Sequence, residues 1–443
     1  MAEFKPFQGI RYRGEWDGDL SRLICPPYDL ISPEEQEFYY QLHPCNAIRL
    51  DFGRILPGDD EQENRYSRAK ALLRQWLSEG ILVREAEPAY YLLEEHFQDV
   101  RGQARVRQSV MGLRSLEENR PGTSIRPHEE TYAGPKQDRF ELMQATEANL
   151  SPILAVYQDP AFVLEEIFCR GIVGDGFPEA RGEDGVRRRL LPLRDPGLSR
   201  ELEAFFRDRP LLIADGHHRY ETALAYRDWR RARDPGAGGG MPYDYTLMCV
   251  ANMESPGVCA YPTHRLVKDL PGFDVERFLL SARNLFEVQD LGDWRDPAAR
   301  ERLSRGLGET TEGVARFGCC FKDPERCWLV TATHPEAFAP LFPPGTDPLV
   351  RTLDVSILHE VLLGRCLGLS PEEQGREGVL AYAKGVDDAL TLLVRRPDLR
   401  AAFLLNLPDL QKIMKIAFSG NLLPRKTTYF FPKAATGLLF RTM

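Results

Sequence analysis

Between positions 61 and 79 the apolar residues Tyr66, Ala69, Leu72, Leu73, Trp76 and Leu77 recur at three- and four-residue spacing. That spacing predicts one buried helix face, and Gly80 stands where such a helix would end. The apolar runs 90–93 and 106–113 flank a polar turn at 99–102, the pattern of two paired strands. Buried strands are also predicted at 152–157 and 245–253. A helix over 199–207 leads to a strand at 210–214 and a second helix over 217–231, beyond which Pro235 stops helical structure. Residues 1–57 read as short strands and turns punctuated by Pro26, Pro27 and Pro33, and 171–195 as a polar hairpin or surface excursion. The stretch 117–139, rich in Pro, Gly, His and charge, reads as a long loop opening into a helix at 139–148. Loops of that length in compact domains often carry function. Near position 270 the texture changes to charged helices and a second set of strands. The expected domains are therefore 1–270 and 271–443, each of mixed α/β (α/β or α+β) character.

Composition narrows the function classes. The 443 residues are 43% hydrophobic and 28% charged, with a formal net charge of −9, which opposes a nucleic-acid coat because phosphate attraction needs a basic face. The N-terminal residues show no secretory pattern, and no run approaches the ~18 apolar residues of a membrane span. The nine cysteines are scattered, with no C-x-x-C pair, so neither a zinc ribbon nor a disulfide framework is indicated. A cytoplasmic protein without membrane or nucleic-acid partners is the expectation.

One segment concentrates chemistry. Leu211, Leu212, Ile213 and Ala214 suit a buried strand; Asp215 is a good helix N-cap type, and Gly216 permits a sharp turn. His217, His218 and Arg219 then fall in the first helical turn, at the positive end of the helix dipole. Cations there are mildly unfavourable, by about 0.3–1 kcal/mol, unless an anion joins them. The turn therefore reads as a phosphate site, each charged hydrogen bond contributing roughly 1.5–3 kcal/mol. A capped helix with solvated histidines is the alternative.

Further candidates lie apart from it. Lys136 and Arg139, three residues apart, are placed to share a helix face with an anionic substrate, and His128 or Glu129 to take a proton from an attacking hydroxyl. A charged surface loop is the plain alternative. Asp29 follows Pro26, Pro27 and Tyr28 in a rigid turn, as a general base, a magnesium ligand or a cap. His264 and Arg265 end a strand-like stretch, and Lys426 and Thr427 combine a cation with a hydroxyl suited to carboxylate or phosphate. Nucleotide-binding P-loops, dinucleotide fingerprints and nucleophile elbows are absent from the sequence. His359-Glu360 lacks the second histidine of a zincin and reads as an ordinary helix with Ile357, Leu358, Val361 and Leu362 facing inward.

Asp215-Gly216-His217-His218-Arg219 resembles the phosphate-binding motif of the ParB/sulfiredoxin-like superfamily, which includes the free-serine kinases. The wider chain resembles domain-of-unknown-function family ten-fifteen. The resemblance rests on Cys25-Pro26-Pro27-Tyr28-Asp29, Pro127-His128-Glu129, Gly134-Pro135-Lys136 with Asp138-Arg139, Ala148-Asn149-Leu150-Ser151-Pro152-Ile153, Pro262-Thr263-His264-Arg265 and Lys426-Thr427-Thr428-Tyr429-Phe430 with Pro432-Lys433. It implies a ParB/sulfiredoxin-like core carrying the strand-turn-helix, with a second α/β domain. It also implies phosphotransfer on a small hydroxylated metabolite, serine or phosphoserine, with ATP or ADP and magnesium. In that scheme Asp215, Gly216, His217, His218 and Arg219 hold phosphate. Asp29, His128, Glu129 and His218 serve catalysis, and Lys136, Arg139, Asn149, His264, Arg265, Lys426 and Thr427 hold substrate. A phosphoserine phosphatase and a ParB-like nucleotide-binding or DNA-associated protein without turnover are the rival readings.

Overall fold

The computed structural model of the chain describes residues 2–443 except 15–18, 119, 121, 128, 130–132, 173–175, 208, 269–271, 310, 312, 377, 422 and 425, and except the side chains of 133–135. Two units emerge: Met1–Pro127, Thr131–Cys259 and Phe430–Met443 form the first, and His128–Glu130 with Ala260–Tyr429 the second. The chain thus leaves the first unit after Cys259 rather than near 270, and its last stretch belongs to the first unit again. Local patterning reports the type of an element, not the sheet it joins.

In the first unit, the periodic segment forms helix α1 (Arg65–Ser78), capped by Asn64. The two apolar runs become β1 (Tyr90–Gln98) and β2 (Ala104–Ser115), paired antiparallel across the predicted turn. The expected loop is shorter than its composition suggests. It contains strand β3 (Ile125–Arg126), and helix α2 begins at Ala133 and runs to Thr146. Pro135 falls in the first turn of that helix, where proline is tolerated because no N–H is needed there. β4 (Ile153–Tyr157) follows, then β5 (Arg187–Leu193), β6 (Leu211–Asp215), helix α3 (His217–Arg233) and β7 (Tyr245–Asn252).

These strands make one mixed sheet in the order β3-β6-β4-β7-β2-β1-β5, with β3–β6 and β4–β7 parallel. Its main core sets Phe168, Leu202, Phe206, Tyr220 and Tyr226 against strand residues such as Leu92, Val110, Ala155 and Ile213. The polar segment 171–195 reads as a hairpin or a surface excursion; it contains a hairpin, with Ala180–Arg181 antiparallel to the start of β5, and β5 pairs along its length with β1. Register explains how an Arg-rich strand is accommodated. Arg107 and Arg188 both stand opposite Glu95, and all three are buried. Arg107 Nη2 lies 2.5 Å and Arg188 Nε 3.3 Å from the Glu95 carboxylate. A second Arg188 nitrogen reaches Asp184 at 2.6 Å.

The second unit is built on an antiparallel sheet. Its strands are β8 (His264–Lys268), β9 (Glu287–Gly292), β10 (Ala315–Phe321), β11 (Arg326–Ala332), β12 (Leu380–Ala383) and β13 (Leu399–Leu405), ordered β9-β11-β10-β13-β8-β12. Helix α4 (Asp354–Ile357) continues into a π-helix over Leu358–Cys366, in place of the ordinary helix expected there. Ile357, Leu358, Val361 and Leu362 are all fully buried in the core of this unit, as their spacing requires. Helix α5 (Leu410–Phe418) follows β13 and is capped by Asp409.

Candidate functional site

The sequence candidates divide between the two units. Asp29, Lys136, Arg139, Asn149 and residues 215–219 belong to the first; Glu129, His264, Arg265, Lys426 and Thr427 belong to the second. His128 lies outside the described residues.

In the first unit the pairing of β6 with β4 slips between Ile213 and Asp215, leaving Ala214 as an extra residue. Bulges of this kind re-aim the side chain that follows. Asp215 is thus the last strand residue, and Gly216, not Asp215, is the N-cap of α3. Gly216 has a φ of 93°, and a Cβ there would lie 3.0 Å from the Arg219 guanidinium. Both facts demand glycine. Gly216→Ala is expected to cost about 1–3 kcal/mol, because a strained backbone adds to a displaced Arg219. A chemical-denaturation midpoint equal to the parent's would refute this.

Arg219 folds back rather than outward. It is buried, and one guanidinium nitrogen lies 2.6 Å from the Asp215 carboxylate while another donates to the carbonyl of Pro152. Lys433 donates to the second Asp215 oxygen. Burial by itself would raise the Asp215 carboxyl, but Lys433 first and Arg219 second hold it well below the usual carboxylate range. Arg219, read from the sequence as one of the phosphate-holding residues, is therefore turned away from solvent. Arg219 buttresses the turn, and His217 is buried as well. His218 is half-buried at the same helix start. Asp215, Lys433 and Arg219 together leave one surplus positive charge next to the first turn of α3, whose N–H groups point toward the turn.

A second cluster adjoins this one. Arg139 Nη1 donates to the Asp51 carboxylate at 3.1 Å and to the Asp51 carbonyl at 2.7 Å, and its guanidinium stacks 4.0 Å from the centre of the Tyr28 ring. Burial raises the Asp51 carboxyl, with Arg139 and then Arg219 opposing that effect. Asp29, next to Tyr28, is exposed. Lys136, on the same helix as Arg139, pairs with Glu221 at 2.9 Å, while Arg139 turns to Asp51. Asn149 is also taken up: its side-chain oxygen accepts from Arg441 at 3.1 Å and from the Leu247 N–H at 3.3 Å. Asp51, Arg139, Asn149, Ser151, Arg219 and Thr222 line a cavity of about 30 Å³, room for a water rather than a metabolite.

The second unit joins two distant motifs. Glu129 accepts the backbone N–H of Thr427 at 3.1 Å, and the Thr427 hydroxyl donates to the Pro424 carbonyl. Lys426, beside them, is exposed in the left-handed region, with φ 58°. His264 and Arg265 are both buried. His264 Nδ1 accepts the Leu405 N–H at 3.1 Å, and burial, then Arg265, push its imidazole down to about 4. Arg265 donates to the Thr263 carbonyl and, at 3.2 Å, to His359 Nε2, while burial pulls its guanidinium down to about 10. His359 Nδ1 lies 2.6 Å from Gln374 Oε1, which assigns that nitrogen the proton. Asn149, His264 and Arg265, expected to hold substrate, are each buried polar groups with a hydrogen-bond partner within their own unit.

Lys433, Asp51 and Tyr28 were not singled out as site residues from sequence. Lys433 and Tyr28 stand inside quoted motif segments, whereas Asp51 carries no local signal.

The family described as "Protein of unknown function (DUF1015)" matches residues 4–356. No curated protein matches the chain. Among solved structures it is similar to a free serine kinase mutant in complex with AMP, at 16% identity and TM-score 0.34, covering 71% of this chain and 88% of that one. A conserved hypothetical protein from Pyrococcus furiosus is similar at 15% identity and TM-score 0.31, covering 69% and 87%. C-terminally truncated SbnI from Staphylococcus aureus follows at 10% identity and TM-score 0.33, covering 74% and 85%.

Proposed function

The chain belongs to the DUF1015 family, so its chemistry must be read from its own residues, and from those of its first unit we propose phosphotransfer on a small hydroxylated metabolite. The observation that carries the proposal is Asp215, held ionised between Lys433 and Arg219 at the strand end that opens into the His217-His218 turn. A fixed anion with two cations orients those cations and leaves net positive charge beside helix N–H groups, the arrangement that stabilises a transferring phosphoryl group. In this reading the amide groups of the turn, His218 and Lys433 face phosphate. Asp215 and Arg219 are positioning residues.

Asp29, exposed beside the Tyr28–Arg139 stack, takes the proton from the attacking hydroxyl. That oxygen bonds to phosphorus as the bond to the nucleotide leaving oxygen breaks. The motif resemblance supports serine or phosphoserine as metabolite and ATP or ADP as nucleotide. Among the described residues no three acidic, histidine or cysteine side chains converge on a metal position. Magnesium is therefore assigned to the nucleotide, whose phosphates usually supply part of its coordination shell, and no step is assigned to it.

Incubation with ³²P-phosphoserine and ADP is the test. Label arriving in ATP supports the proposal, and label released only as inorganic phosphate replaces it with the phosphatase reading. His218→Ala is expected to lower turnover about 10²-fold, the usual loss of one charge-stabilising donor, with the melting temperature retained. Full turnover in that variant would remove His218 from the site.

A further inference from the structure

The second unit contains a cavity of about 770 Å³ that the phosphotransfer reading leaves unused. Its size lies within the range of small-molecule sites, roughly 300–1,000 Å³. It opens where β13 ends and helices α4 and α5 begin, so it joins an apolar wall, including Leu353, Leu405 and Ile413, to charges of both signs: Asp354, Asp409 and Glu336 are negative, Lys412 and Lys415 positive.

The first charge is Asp354, the opening residue of α4. Among the described residues its carboxylate has neither a hydrogen bond nor an ion pair. Burial raises this carboxyl to about 6, with Lys412 opposing and Asp409 adding to the rise. Asp354 is half-buried, so its carboxylate is partly shielded from water, and a cation brought against it from the cavity offsets that desolvation. The second charge is Lys412, in the first turn of α5. Its ammonium donates to the Thr352 carbonyl at 2.8 Å, which leaves two further N–H donors. Burial lowers its pKa. The N-terminus of its helix is already capped by Asp409, which accepts the Lys412 backbone N–H at 3.0 Å, so the anion of a ligand falls to the side-chain ammonium. Lys415, one turn on and exposed, adds a second positive charge to the same cavity.

We propose that this cavity binds a small zwitterionic metabolite, its ammonium group held by Asp354 and its anionic group by Lys412 and Lys415, with its carbon body against Leu353, Leu405 and Ile413. A cationic ligand without an anion would meet repulsion from Lys412, and an anionic one would meet it from Asp354. The dipolar ligand satisfies both. All the lining residues belong to the second unit, so the inference stands apart from the phosphotransfer reading.

Calorimetric titration of the full chain tests it, using the straight-chain series from glycine to 6-aminohexanoate together with butylamine and butyrate. One or more members of the series should bind with one-to-one stoichiometry at millimolar concentration or below, and both single-charge compounds about tenfold more weakly. Asp354→Asn and Lys412→Met should each weaken binding about tenfold. Lys415→Glu, an exposed change that leaves the fold intact, should weaken it in the same direction. Absence of binding across the series, equal binding of butylamine or butyrate, or unchanged affinity in Lys415→Glu together with Asp354→Asn would each overturn the proposal. Phosphoserine turnover by the same variants reports on the other site separately, and should match the parent.

Discussion

Asp215→Asn is expected to cost the first unit about 3–5 kcal/mol, the range for removing one partner from a buried ion pair. The substitution keeps the shape but leaves Lys433 and Arg219 facing each other as cations, both largely shielded from water. The melting temperature should fall on the order of 10 °C for a unit of this size. The pH dependence has a definite sign. The folded carboxyl is held below its unfolded value, so the stabilisation is fully present above the unfolded pKa of about 3.9 and is lost only as acid protonates the folded group below that. The gap between parent and variant should accordingly stay constant from neutrality to about pH 5 and narrow below pH 4. Turnover should fall too, since both cations lose the anion that positions them. Thermal melts of parent and variant across that range decide the matter. Superimposed melts at neutral pH would show that Asp215 does not organise the turn.

The second large effect is expected at Glu95. Its carboxylate lies between Arg107 and Arg188 in the interior of the first unit. Glu95→Gln leaves Arg107 without its only charged partner among the described residues, whereas Arg188 keeps Asp184. A loss of about 3–5 kcal/mol is expected in urea denaturation, from the uncompensated guanidinium. Replacing Glu95, Arg107 and Arg188 together by Leu, Leu and Met should recover most of it, because well-packed apolar residues often match a buried ionic triad. A single variant that loses less than about 1 kcal/mol would mean that water reaches the guanidinium of Arg107.

How far the chain can be read without its structure follows from the range of each interaction. Helix α1, the β1–β2 hairpin and the strand-turn-helix from Leu211 to Arg233 were all legible. Periodicity and turn chemistry act over a few residues, and these elements bury one face each. Helix α2 was legible only from Arg139 onward, since Pro135 and the surrounding charge suggested a loop. For β5 the sequence left a hairpin and a surface excursion open, because a run of arginines looks solvated until Glu95 is known to stand opposite.

By itself the sequence determined the mixed α/β class and the strand-turn-helix at residues 211–233. It also determined that Gly216 is the residue at which the backbone turns, since the local steric and hydrogen-bonding preferences there agree. The tertiary structure decided the partners. Lys433 reaches Asp215 from 218 residues away, Thr427 meets Glu129 across 298, and Arg139 settles on Asp51 across 88. Charge pairing in a buried site depends on which side chains share a low-dielectric space, and that is fixed by packing rather than by spacing along the chain. For that reason the Arg219 guanidinium, which spacing along the chain leaves open to a ligand, lies against Asp215 and the Pro152 carbonyl in the fold.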